Sequence, residues 1–227
     1  MSSNLDYFWP QFWQACMETF WTVCGSLVFG TLIGLPLGII LVVTRPGHIK
    51  ENKTVFYALN TIVNILRSVP FIILLVAIIP FTRFITGTSI GVAAAIVPLS
   101  IFLGPYLARL IENSLLEVDH GVLEAAYAMG ATKYQIITKF IVPEVIPSLI
   151  LSFTTGTISL IGSTAAAGAV GAGGLGDLAI TYGYQRFETE VIVITVVLLV
   201  ATVQLIQSTG NSLSRSIRRK RGWKKDY

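Results

Sequence analysis

Charge is what this sequence has least of. Only 12% of its 227 residues are Asp, Glu, Lys or Arg, while 53% are hydrophobic; soluble domains carry about a quarter charged residues. So few charges cannot coat a water-facing surface, which excludes an ordinary soluble globular domain. Cys16 and Cys24 are the only cysteines, and neither has a His close by in sequence. A metal-ligand pattern is therefore missing, and both thiols read as small apolar fillers. The first 18 residues contain no Lys or Arg, so a cleavable secretory signal with a basic start is not expected and the first apolar run should stay in the protein. No Gly-x-x-x-x-Gly-Lys-Ser/Thr occurs, so the backbone cradle needed for the phosphates of ATP is missing. Acidic residues are nearly absent from the apolar runs, and no nucleophile, base and orienting group fall into a pattern, which argues against an enzyme and against a proton-coupled carrier.

What the chain does have is length in its apolar runs. Five stand out, at about 19–44, 59–81, 90–111, 148–170 and 191–207. Several reach the roughly 20 residues that carry a helix across a hydrocarbon core, where a helix satisfies its own backbone hydrogen bonds. The expected fold class is an all-α integral membrane protein with five transmembrane helices. An odd number of crossings separates the termini, and basic residues decide which is inside. With the C-terminus cytoplasmic, the inner segments hold Arg45, Lys50, Lys53, Lys133, Lys139 and the seven basic residues Arg215, Arg218, Arg219, Lys220, Arg221, Lys224 and Lys225, while the outer ones hold Arg83 and Arg186. Twelve against two places the N-terminus outside. The expected organisation is an external segment 1–18 with Tyr7, Phe8, Trp9, Phe12 and Trp13 along the interface, a transmembrane domain 19–210, and a basic tail 211–227. The +4 net charge is concentrated in that tail, which fits a cytoplasmic stop signal touching anionic membrane lipid, not nucleic acid.

Within the spans, Gly30, Gly34 and Gly38 repeat on one face and should let another helix approach closely. Arg109 has Glu112 one turn on, a spacing for a local pair. Arg67 precedes Ser68 and Pro70; the Pro frees a backbone carbonyl that Ser68 or a neighbouring helix can satisfy. Ser152, Thr155, Ser159 and Ser163 share a face of the fourth span, with Gly156 beside it. That stripe is either a lining of small hydroxyls along a substrate pathway or a seam of small-residue packing. Gly171-x-Gly173-x-x-Gly176 matches a dinucleotide fingerprint in letters only, since it ends a membrane span and does not open a helix after a strand. A pliant external turn is expected there.

The segment 117–143 between the third and fourth spans is the richest. Its first half suits a short helix stopped by Gly130, with a small-residue face of Ala125, Ala126 and Ala128. Its second half restarts with capping-box spacing at Thr132 and Gln135, and Pro143 marks the expected exit. Two short helices with a Gly joint form a projection that fits a groove on another protein.

Glu124-Ala125-Ala126, Gly130 four residues later, then an apolar residue and Pro143 resemble the cytoplasmic EAA loop of the permeases of ATP-binding-cassette (ABC) importers. Ile158-Ser159-Leu160-Ile161-Gly162, the run Ala167 to Asp177, Tyr182-Gly183-Tyr184-Gln185, and Arg67-Ser68-Val69-Pro70-Phe71-Ile72-Ile73-Leu74 look like the methionine-importer permeases of that class. The likeness covers nearly the whole chain. It departs at Thr164-Ala165-Ala166-Ala167-Gly168, where some members carry a Met, so a sulfur contact to substrate from that position is absent. The resemblance implies a type I importer fold and a homodimer. It also implies two separate ATP-binding subunits that carry ATP and Mg, an external methionine-binding protein, and no cofactor, metal or catalytic residue on this chain. Glu124 would make polar contacts to the ATPase, Ala125 and Ala126 would allow close approach, and Gly130 would set the turn. Rival readings are the same machine for another amino acid, or a secondary transporter or channel, for which ion-coupling charges and a pore ring are missing.

Overall fold

The computed structural model describes residues 3–48, 50–118 and 120–220. Arg221, Lys224 and Lys225 of the basic tail, Asp119 of the loop and the first two residues lie outside them. The described chain is helical: α1 (Ser3–Thr44), α2 (Lys53–Ser68), α3 (Phe71–Ala77), α4 (Ile79–Thr86), α5 (Val92–Leu116), α6 (His120–Ala128), α7 (Lys133–Gln135), a π-helical stretch Ile136–Ile141, α8 (Val142–Gly168), α9 (Gly174–Leu178), a second π-helical stretch Ala179–Gln185, and α10 (Thr189–Lys220). Four helical stretches are long and apolar enough to cross a membrane, and the pair α2 and α3 makes a fifth if its two bent pieces count as one broken span.

The first apolar run sits in a helix far longer than the run itself. α1 has 42 residues, about 63 Å at 1.5 Å per residue, so residues 3–18 continue it upward as helix. Trp9, Trp13, Phe20 and Trp21 are exposed along it.

The run at 59–81 differs from an unbroken crossing. α2 ends at Ser68, Val69 is extended (φ −79°, ψ 123°), and α3 starts after Pro70 with its axis turned by 100°. The cause is local: a residue before Pro is driven out of the helical region. Ser68 Oγ donates to Ile65 O at 2.8 Å, one of the last four carbonyls of α2, whereas the carbonyl that Pro70 leaves without a donor is that of Leu66. Pro80 then opens α4. At the other end of α2, Asn52 Oδ1 accepts from Val55 N–H at 3.2 Å, an N-cap. Val63 is the one buried residue of α2.

The core is the crossing of α1 and α5, the most extensive helix pairing in the described chain. Leu99, Leu103, Leu107 and Ile111 of α5 are 0–1% exposed and lie one turn apart on a single face. Against them stand the three glycines. A Cβ on Gly34 would lie 2.7 Å from Gly104 O, and one on Gly38 would lie 2.8 Å from Ala108 O. On Gly30 it would strike Leu103. The repeat is thus used for close helix approach, as its spacing implies. α8 packs beside α1 on the same leucine row of α5, where Gly156 takes Leu107, and α10 crosses α8 where Gly210 meets Thr154.

Gly34→Leu is expected to lower the unfolding free energy by about 1–3 kcal/mol, because the obstructing atoms belong to backbone that cannot rotate away. Gly162→Ala, with nothing within 4 Å of its added Cβ, should be neutral; thermal unfolding of the detergent-extracted proteins compares the two.

Candidate functional site

The projecting segment is built from two local devices. α6 ends in a left-handed Gly130 (φ +72°), and Ala131 N–H reaches back to Ala126 O at 3.1 Å. That is the 6→1 bond of a Schellman cap. Nothing lies within 4 Å of a Cβ added to Gly130, so Gly is needed there for its backbone conformation and not for space. The next helix is opened by a reciprocal capping box: Thr132 N–H donates to Gln135 Oε1 at 2.8 Å, and Gln135 N–H donates to Thr132 Oγ1 at 3.3 Å.

Beyond Gln135 the chain does not stop at Pro143. It widens into the π-helical turn Ile136–Ile141 and runs straight into α8. Val142 N–H bonds to Ile137 O, five residues back, a π-type register, and Pro143 falls in the first turn of α8, where its missing N–H is tolerated. The second arm of the hairpin is therefore one continuous rod with the fourth span.

The four residues named for this segment separate by exposure. Glu124 and Ala125 are exposed, as is Gly130. Ala126 is 0% exposed and belongs to the chain's own apolar cluster with Ile136, Ile141 and Val145, so its small size first serves the closure of α6 onto the rod. Two exposed residues at the tip escaped the reading of the sequence: Met129 (67%) and Tyr134 (76%). Large apolar side chains flanking the turn glycine of a charged-side loop were the signal for them.

The hydroxyl stripe of α8 divides too. Ser152 is buried, donates to Leu110 O at 3.3 Å and lies 2.8 Å from Ser114 Oγ. Ser163 is buried and donates to Ser159 O at 3.0 Å. Ser159 is half-buried and Thr155 exposed. Ser152 and Thr155 border a cleft of about 310 Å³ between α5, α8 and the end of α10.

A buried ionic cluster joins α1, α2 and α5. Glu112 is 1% exposed; its Oε2 accepts from Arg109 Nη1 at 2.6 Å and its Oε1 from Arg45 Nη1 at 3.4 Å. Arg109 Nη2 also donates to Asn60 Oδ1 and Asn64 Oδ1, each at 2.7 Å. The Arg109 and Glu112 pair follows from sequence spacing; its partners on α2 are visible only in three dimensions, although two asparagines four residues apart in an apolar run marked a polar face. Their role is to hold α2 by hydrogen bonds where it has little apolar burial.

At the opposite end of the bundle the glycine-rich run is not a pliant turn. Gly171, Gly173 and Gly174 have positive φ, and α9 folds back so that Gly176 faces Ala165 and Gly168 faces Asp177 with no room for a Cβ. Glu18 Oε2 accepts from Gly174 N–H and Thr19 Oγ1 from Leu175 N–H, both at 2.8 Å. The first turn of α9 is thus capped by α1. Among the described residues no group of His, Cys, Asp or Glu has the geometry to hold a metal ion.

Comparison with known proteins places this geometry. The family described as binding-protein-dependent transport system inner membrane component matches residues 30–219. A curated relative, the probable D-methionine transport system permease protein MetI of Vibrio cholerae serotype O1, is 48% identical over 203 residues, covering 89% of this chain and 90% of its own. A solved structure described as an inward facing conformation of the MetNI methionine ABC transporter superposes with a TM-score of 0.88 at 47% identity, over 96% of this chain and 99% of that one. A more distant solved amino acid ABC transporter, 18% identical, shares the fold at a TM-score of 0.72, covering 96% and 97% of the two chains.

Glu112→Gln is expected to destabilise the fold by about 3 kcal/mol, since it leaves the Arg109 guanidinium without its buried counter-ion. Arg45→Gln, at a side chain 42% exposed, should cost under about 1 kcal/mol. Unfolding midpoints of the two variants in one detergent check the order.

Proposed function

The chain belongs to the family of binding-protein-dependent transport system inner membrane components, and from that premise we propose that it is the permease subunit of an ABC importer that carries methionine across the bacterial cytoplasmic membrane. The observation that carries this reading is the likeness, over nearly the full length, to a methionine ABC transporter solved facing inward. In this reading two copies of the chain enclose the pathway. Two ATP-binding subunits supply ATP and Mg chemistry, an external methionine-binding protein delivers the substrate, and this chain catalyses no bond change itself. Its N-terminus faces outward and its basic C-terminus the cytoplasm.

The α6 hairpin is the mechanical link. Glu124, Ala125 and the tip residues enter a cleft of the ATPase, while Ala126 and the Gly130 cap fix the angle of α6 on the rod. Because that rod is continuous with α8, displacement of the hairpin by closure of the ATPases is passed directly to a membrane-spanning helix. Nucleotide binding then biases the bundle towards an outward-open arrangement and hydrolysis returns it, each state favoured by its own contacts. On this reading the open members of the α8 stripe, Thr155 and Ser159, face the substrate path, while Ser152 and Ser163 are buried.

The decisive experiment reconstitutes the permease with its ATPase and binding protein in proteoliposomes and measures which amino acids stimulate ATP hydrolysis and enter. Methionine should do both; stimulation by another amino acid alone would overturn the substrate assignment. Glu124→Arg and Gly130→Val should each lower uptake at least about tenfold with the permease still inserted. Gly130→Asn, which tolerates the left-handed conformation, should retain more transport than Gly130→Val. Equal activity of the Asn and Val variants would show that the turn does not set the coupling.

A further inference from the structure

The cleft beside Ser152 carries charges of both signs, and neither the fold nor the hairpin uses them together. It lies between the last turns of α5, the first half of α8 and the end of α10, at the end of the bundle from which α6 projects. Glu117 and Arg218 are among its lining residues, with Asn113, Ser148, Ser152 and Thr155. Glu117 is exposed, and its Oε2 accepts from Ser148 Oγ at 2.6 Å; a carboxylate has room for several more donors. Arg218 is half-buried and lines the cleft; its Nε is closed off from the cleft and has no acceptor among the described residues, so a ligand would meet the outer N–H groups of the guanidinium. A guanidinium pairs well with a planar anion. The volume of about 310 Å³ stands at the lower end of small-ligand pockets, which run from roughly 300 to 1,000 Å³.

A groove of one sign would select a simple ion. A carboxylate and a guanidinium in one small cleft, with an amide and hydroxyls beside them, match a molecule that carries an ammonium and an acidic group a few bonds apart. We infer that this cleft is a zwitterion-binding site, with the ligand's ammonium on Glu117 and its acidic group on Arg218. With the importer reading as premise, the site is a resting place for the amino acid near the end of its passage, on the side of the ATPases. The same chemistry is offered by the headgroup of an aminophospholipid, so the test has an arm for each source.

The permease, assembled with its ATPase in phosphatidylcholine nanodiscs, is irradiated with a diazirine analogue of methionine, and labelled peptides are mapped by mass spectrometry. Labelling is expected within 110–117 and 148–155, and excess methionine should suppress it. Glu117→Gln, which keeps an oxygen for Ser148, and Arg218→Gln should each reduce labelling about tenfold. As competitor, 3-(methylthio)propanoate lacks the ammonium and should be insensitive to Glu117→Gln; methioninol lacks the carboxylate and should be insensitive to Arg218→Gln. If phosphatidylethanolamine discs abolish labelling that methionine does not suppress, the zwitterion site stands and its occupant is the lipid headgroup. Labelling that is absent from these peptides, or unchanged in both variants, overturns the site. Failure of methionine to stimulate ATP hydrolysis by the wild-type complex with its binding protein, with cleft labelling intact, overturns instead the importer reading.

Discussion

Leu103, Leu107 and Ile111 of α5 lie against Gly30, Gly34 and Gly38 of α1 at a separation that leaves no space for a methyl group. Inside a bilayer, apolar side chains gain little by leaving lipid for protein, so association depends on how many atoms come into van der Waals contact. Glycine on one helix and a row of branched side chains on the other maximise that contact. Once α1 and α5 are locked, α8 has a surface to pack on through Gly156, and α10 is seated in turn through Gly210 against Thr154. The order of the bundle follows from this sequence of close approaches.

The same low-dielectric surroundings make every polar group a constraint. Glu112 is nearly inaccessible and is met by two guanidinium groups. Arg109 is shared between that carboxylate and two asparagines of α2. Donors left over at the start of α9 find Glu18 and Thr19 on α1, and Ser214 on α10 donates to Pro147 O of α8 at 3.0 Å. These bonds tie together helices distant in sequence and specify their rotation more narrowly than apolar packing does. At the bend where α2 stands at 100° to α3, side chains take one backbone group at each end of α2, Val55 N–H by Asn52 and Ile65 O by Ser68.

Function on the proposed reading uses the contrast between the two ends of this bundle. The glycine-rich end is tightly built on α1, while the other end presents the exposed tip of a hairpin whose second arm is the beginning of α8. A π-helical turn at Ile136–Ile141 is the joint between tip and span, and the rod runs unbroken through it into α8. Movement at the tip therefore has a direct route into the membrane, past the cleft formed by Glu117, Ser152 and Arg218.

Much of this was legible in the one-dimensional pattern, and for identifiable reasons. Membrane crossing, helical class and the Gly face of α1 follow from composition and period, because a bilayer admits few backbone solutions. The Gly130 stop and the Thr132 and Gln135 box are contacts between residues at most a turn apart, so their spacing alone determines them. The pairing of Arg109 with Glu112 is local in the same way. Tertiary structure decided what spacing cannot express: that residues 59–81 break at Pro70, that the rod passes through Pro143, that Ala126 turns inward while Ala125 faces out, and that Ser152 bonds across to α5 while Ser163, also buried, bonds back to its own helix. It also brought Asn60 and Asn64 to Arg109, Glu18 to Gly174, and Glu117 and Arg218 to one cleft. Each of these depends on which faces of separate helices meet, and that choice belongs to the packing of the whole bundle and not to any stretch of the chain.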